Sequence, residues 1–163
     1  MYEALYDPIP DVSKFLERIG CDGLEIRHDL ETLDALIMGY STHVPYENLE
    51  VSYEHRLPSL AVKDLYDKIV VHHRGGYCFE MNGIFWALLR DLGFEVYSVS
   101  VYVLENVDSM GDLGHRSNIV TIDGKKYFVE VGFGRNSVAR MAVPIDGTIR
   151  GNFFVKYDPD RKS

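Results

Sequence analysis

The hydrophobic period of this chain changes once, at Gly93, and that change limits the folds open to it. Up to Leu92 the apolar residues recur at three- and four-residue spacings, as on one face of a helix. Beyond Gly93 they alternate, as on a half-buried strand. Helices followed by strands give an α+β arrangement. A chain of 163 residues makes one domain, or two small halves that share a core. We read residues 1–93 as a helical unit and residues 94–163 as a β unit.

Within the first unit, residues 11–19 form a helix behind Pro10, closed by Gly20. Residues 29–40 form another, with Leu30, Leu33, Ile37 and Tyr40 on one face. Residues 42–51 read as extended around Val44-Pro45, because proline disfavours a helical residue before it. Residues 62–73 form a third helix with Val62, Leu65 and Ile69 inward. Residues 78–92 form a fourth, on which Met81, Ile84, Phe85, Leu88, Leu89 and Leu92 fall at helical spacings before the Gly93 C-cap. Within the second unit, residues 96–104 form a strand and residues 105–114 a loop. Residues 118–122 and 125–131 flank Asp123-Gly124, a strong two-residue hairpin signal. One more short strand covers residues 152–157. There is no internal repeat and no low-complexity linker.

The bulk composition fits an ordinary soluble protein, with 46% hydrophobic and 26% charged residues. A net charge of −8 argues against nucleic acid or an anionic membrane as the main partner. Met1 is followed by acidic and aromatic residues, not by the basic start and apolar run of a signal peptide. No stretch approaches the length of a membrane span. Two cysteines without secretory context point to a reducing compartment. The expectation is a soluble, cytoplasmic protein.

The segment Arg74-Gly75-Gly76-Tyr77-Cys78-Phe79-Glu80-Met81-Asn82 places Cys78 where a glycine turn gives way to the fourth helix. A helix N-terminus offers unpaired N–H groups and partial positive charge, which stabilise a thiolate. A lone cysteine there is equally compatible with plain apolar core. The hairpin supplies partners. With Ile122 opposite Lys125, Ile119 faces Phe128, Ser117 faces Glu130 and His115 faces Gly132. His115 and Glu130 then share a face as a diagonal pair, with Cα atoms about 7–8 Å apart. A carboxylate beside an imidazole fixes its tautomer, and a histidine beside a cysteine takes its proton. Taken singly, His115 and Glu130 also read as solvated strand residues. His72-His73 suits a helix end, His28 and His55 the surface, and His43 the core. Cys21, Cys78 and the histidines lack the close paired spacing of a zinc site, so no metal is expected.

Taken together, several blocks resemble the arylamine N-acetyltransferase family over essentially the whole chain. They are Arg18-Ile19-Gly20; Asp29-Leu30-Glu31-Thr32-Leu33; Val44-Pro45-Tyr46-Glu47-Asn48-Leu49; the block around Cys78; His115; and Val129-Glu130-Val131-Gly132-Phe133-Gly134-Arg135. The resemblance implies a helical bundle against an antiparallel β-barrel, with a Cys-His-acid arrangement like that of papain and transglutaminases. It implies Cys78 as the acetyl-accepting nucleophile, His115 as its base and Glu130 as the orienting acid. Phe79, Phe133 and Arg135 would contact substrate, and Arg74 with Glu47 would form a structural ion pair under the nucleophile turn. Acetyl-CoA would be the donor, and an arylamine or hydrazine the acceptor.

The chain departs from the family pattern in three ways. Glu130 stands where the family usually has Asp. Arg116-Ser117-Asn118 follows His115 where the family usually runs apolar, so a wetter strand start is expected. Family members also carry a further C-terminal region that completes the barrel and adds a lid, so the barrel here is expected to be partial, with open edges through which copies can associate. Two other readings follow from that expectation. One is a thioester or ester hydrolase using the same three residues. The other is an inactive relative without a donor site.

Overall fold

A computed structural model describes residues 3–102, 114–134 and 139–156. Helices α1 (Val12–Arg18), α2 (Leu30–His43), α3 (Leu49–Ser52), α4 (Val62–Tyr66) and α5 (Cys78–Asp91) precede strands β1 (Glu95–Val101), β2 (His115–Ile122), β3 (Lys125–Val129) and β4 (Val143–Pro144). The four strands form one antiparallel sheet in the order β1-β2-β3-β4. The expected α+β class is therefore the observed one. No helix among the described residues is long and apolar enough to cross a membrane.

The helix boundaries follow local chemistry. Asp11 and Asp29 each cap a helix by accepting the backbone N–H three residues on, at 3.0 and 2.8 Å. At the far end of α5 the Gly93 N–H bonds the Arg90 carbonyl and the Phe94 N–H bonds the Leu89 carbonyl, a Schellman closure. Phe15, Leu33, Leu36, Ile37 and Tyr40 from α1 and α2 meet Ile84, Phe85 and Leu88 of α5, all 0% exposed. Full burial of one such aliphatic or Phe side chain is worth roughly 1.5–3 kcal/mol. The other side of α5 packs on β1 and β2, so this helix is shared by the helical layer and the sheet.

Four expectations need correction. The third helix does not run to residue 73. After α4 the chain makes a π-helical turn, Asp67–Val71, with the His72 N–H bonding the Asp67 carbonyl. Ile69 and Val70 of that turn are both buried. Residues 42–51 are not uniformly extended: α2 runs to His43, and α3 starts at Leu49, whose N–H bonds Glu47 Oε2 at 2.9 Å. Pro45 acts on Val44 alone (ψ 111°). Beyond β4, single bridges are what the described residues show where a strand at 152–157 was expected: Asp146 with Lys156 and Arg150 with Phe153, around positive-φ turns at Gly147 and Gly151. Finally, the start of β2 is not wet: Ser117 and Asn118 are 0% exposed. The expected loop at residues 105–113 and the outer ends of the strands at residues 103–104 and 157 lie outside the described residues.

Candidate active site

Two backbone constraints bring the start of α5, with Cys78, and the hairpin together. Before α5, residue 75 must be glycine, since a Cβ there would sit 1.7 Å from the Pro45 carbonyl oxygen. That closeness lets Tyr46 and Gly76 form a parallel bridge, with the Glu47 N–H on the Gly76 carbonyl at 3.0 Å. After β3, a Cβ on Gly132 would lie 2.9 Å from the Met81 Cβ and 3.3 Å from the Cys78 Cα. The chain leaving the hairpin thus lies directly on the first turn of α5.

The hairpin register is the expected one, with Ile122 opposite Lys125 and Ile119 opposite Phe128. Asp123 and Gly124 both have positive φ, 51° and 73°, as a type I′ turn requires. His115 Nε2 donates to Glu130 Oε2 at 2.5 Å, both residues being buried. Cys78 Sγ lies 3.8 Å from the Gly114 carbonyl oxygen, beside the start of β2. With Nε2 committed to Glu130, Nδ1 is the ring nitrogen left to face Cys78. Burial alone would lower the His115 pKa. The hydrogen bonds to Cys78 and Glu130, and their negative charges, outweigh it and raise the value to about 9.

Glu130 is held at both oxygens. Its Oε1 accepts the Asn82 amide and the Gly132 N–H, each at 2.7 Å. Its Oε2 accepts the Ser117 hydroxyl at 2.6 Å beside the His115 bond. Asn82, one turn along α5 from Cys78, also donates to the Arg116 carbonyl at 2.7 Å and accepts the Val131 N–H at 3.1 Å. Asn118 in turn donates to the Asn82 carbonyl at 2.9 Å. Asn82, Ser117 and Asn118 carried no role in the sequence reading. Ser117 and Asn118 are neighbours on one strand and point to opposite faces, so a period of two could not mark both as buried.

The remaining expected residues fall as follows. The Phe133 ring stands edge-on to His115, with centroids 5.0 Å apart. Phe79 is half-buried and packs on the Tyr77 ring at 5.7 Å. Arg135 lies outside the described residues. Arg74 Nη2 meets Glu47 Oε1 at 2.8 Å, but the pair belongs to a wider network that the sequence reading missed. Lys68 from the π-helical turn reaches Glu80 at 2.7 Å and Glu50 at 2.9 Å, and Glu80 Oε2 accepts the Tyr77 N–H at 3.0 Å. Cys21 sits elsewhere, against the Ile19 and Ala35 carbonyls, and burial pushes its thiol pKa up.

Comparison with known proteins gives a consistent picture. Residues 29–149 match the family model described as N-acetyltransferase. The chain is 36% identical over 130 residues to the arylamine N-acetyltransferase of Mycolicibacterium smegmatis, covering 76% of this chain and 46% of that protein. It is 34% identical over 128 residues to human arylamine N-acetyltransferase 1, covering 77% and 44%. Among solved structures it resembles an arylamine N-acetyltransferase of Bacillus cereus described as having a unique Cys-His-Glu catalytic triad. That match has a TM-score of 0.74 and 30% identity over 85% of this chain and 55% of the other. The chain spans about half the length of the curated relatives it matches.

Proposed function

The chain belongs to the arylamine N-acetyltransferase family, and on that premise we propose that it carries an acetyl group from acetyl-CoA to an arylamine or hydrazine through a thioester on Cys78. The observation that carries this reading is Cys78 packed against the start of β2, where a buried His115 imidazole is held by a fully hydrogen-bonded Glu130 carboxylate. The raised pKa of His115 favours an imidazolium at neutral pH, the form that would stabilise a thiolate on Cys78.

In the first half-reaction the Cys78 thiolate attacks the thioester carbonyl. The carbon–sulfur bond to CoA breaks, and the departing CoA thiolate takes the proton from His115. In the second, the amine attacks the acetyl-cysteine, His115 accepts the amine proton, and the Cys78 thiolate leaves. Backbone N–H groups at the start of α5, that of Cys78 among them, suit the oxyanion. Glu130 fixes the ring and stabilises the imidazolium. Phe133, edge-on to His115, is proposed as an acceptor contact, and Phe79 and Arg135 keep that role on the family resemblance. The two free cysteines fit a reducing, cytoplasmic setting.

Peptide mapping after incubation with acetyl-CoA tests the reading. An acetyl group on the Cys78 peptide, absent from Cys78→Ala and discharged by added arylamine, is the expected result. A folded protein that never acetylates Cys78 overturns it. Discharge equally fast without amine would favour hydrolysis.

A further inference from the structure

The first turn of α5 holds two groups whose negative charges oppose each other, the Cys78 thiol and the Glu80 carboxylate. Glu80 is 1% exposed, so water does little to mute its charge. It also has a structural task, since its Oε2 accepts the Tyr77 N–H immediately before Cys78. Lys68 answers it from the π-helical turn: its Nζ lies 2.7 Å from Glu80 Oε1, 2.9 Å from Glu50 Oε1 and 3.8 Å from Glu47 Oε1. Lys68, Glu80 and Glu50 line an open cleft of about 720 Å³. Other cations there already have acids: Arg74 has Glu47 and Arg56 has Glu50. The cations of the cleft are thus matched with acids of the same network.

We propose that Lys68 is a positioning residue for the nucleophile. It holds the Glu80 carboxylate on the Tyr77 N–H and cancels the charge that would otherwise oppose the Cys78 thiolate. The assignment rests on Cys78 being the acyl-accepting group. Besides Lys68, the groups facing Glu80 are Glu50 and Glu47, Tyr40 from α2, and the adjoining Tyr77. Those facing Cys78 are His115 with Glu130 behind it, and Tyr46 and Tyr77. Lys68 is thus the cation in contact with the carboxylate of that first turn. Burial pushes the Glu80 carboxyl up and Lys68 pulls it back, as a counter-charge should.

The pH profile of Cys78 alkylation by limiting iodoacetamide, read by peptide mapping with Cys21 as internal reference, tests this. In the parent, Cys78 should label well ahead of Cys21; if it does not, the active-site reading and this assignment fall together. Lys68→Met should move the Cys78 profile to higher pH by about one unit, roughly tenfold in thiolate fraction, as expected for an uncompensated charge several ångströms away in a poorly solvated site. Glu80→Gln, which still offers an oxygen to the Tyr77 N–H, should move it the opposite way. Lys68→Met/Glu80→Gln should return towards the parent, and Lys68→Arg should retain the parent profile. A purely structural lysine would give loss of stability without opposite-signed shifts. A reactive parent Cys78 whose profile is unmoved in folded Lys68→Met, or moved upward in Glu80→Gln, overturns the assignment while leaving the nucleophile in place.

Discussion

Glu130 is one methylene longer than the aspartate usual in the family, and its surroundings accommodate that length. Each carboxylate oxygen has two donors, so the longer side chain is fixed by Asn82, Gly132, Ser117 and His115 at once. Glu130→Gln replaces one of those oxygens by an amide that turns donors against donors, in a buried site where an unsatisfied group costs about 1–3 kcal/mol. It also removes the charge that stabilises the imidazolium. By analogy with a triad that loses its orienting acid, Cys78 acylation should slow by about 10²–10⁴-fold. Burst kinetics with p-nitrophenyl acetate measure it, and circular dichroism checks the fold. A parent-like rate would mean that another carboxylate orients His115.

At the level of elements, the turn before α5 is tied to residues 46–50 by the Tyr46–Gly76 bridge and by the Arg74 ion pair with Glu47. Arg74 keeps 37% of its side chain exposed and Glu47 15%, so the pair is worth less than a buried one. Arg74→Ala should cost about 1 kcal/mol, a loss of about 2–4 °C in Tm for a chain of this size, together with activity. Loss of activity with an unchanged melting curve would put Arg74 among the reacting groups. The arrangement around this turn was legible where local chemistry left no freedom. A two-residue Asp123-Gly124 loop fixes the hairpin register, and that register alone put His115 and Glu130 on one face. Asp11 and Asp29 marked helix starts because their side chains act three residues away. What was not legible depends on distant partners. Lys68 carried no role in the sequence, since nothing local announces a π-helical turn or a carboxylate twelve residues ahead. Ser117 and Asn118 read as wet because polarity in a strand does not reveal partners 13 and 36 residues away.

For the whole molecule, α5 is the element through which site and stability are linked, because it packs on the helical core and on the sheet. The proton shared by Cys78, His115 and Glu130 therefore reports on folding as well as on catalysis. The His115 pKa rises from an ordinary 6.5 to about 9 in the folded protein. Between those values the folded state binds more of this proton than the unfolded chain does, so the stability it contributes is complete below about pH 6.5. That contribution fades as the pH climbs through about 9. Melting temperatures taken in steps from near-neutral to alkaline pH should therefore decline across this window. Glu130→Gln should melt with a shallower decline, since one of the two negative groups holding the proton is gone. Groups that titrate in the same window elsewhere are common to both proteins and cancel in the comparison. Parallel slopes for parent and variant would show that His115 keeps its proton without Glu130, and the carboxylate would then be a packing feature, not the partner of the imidazolium.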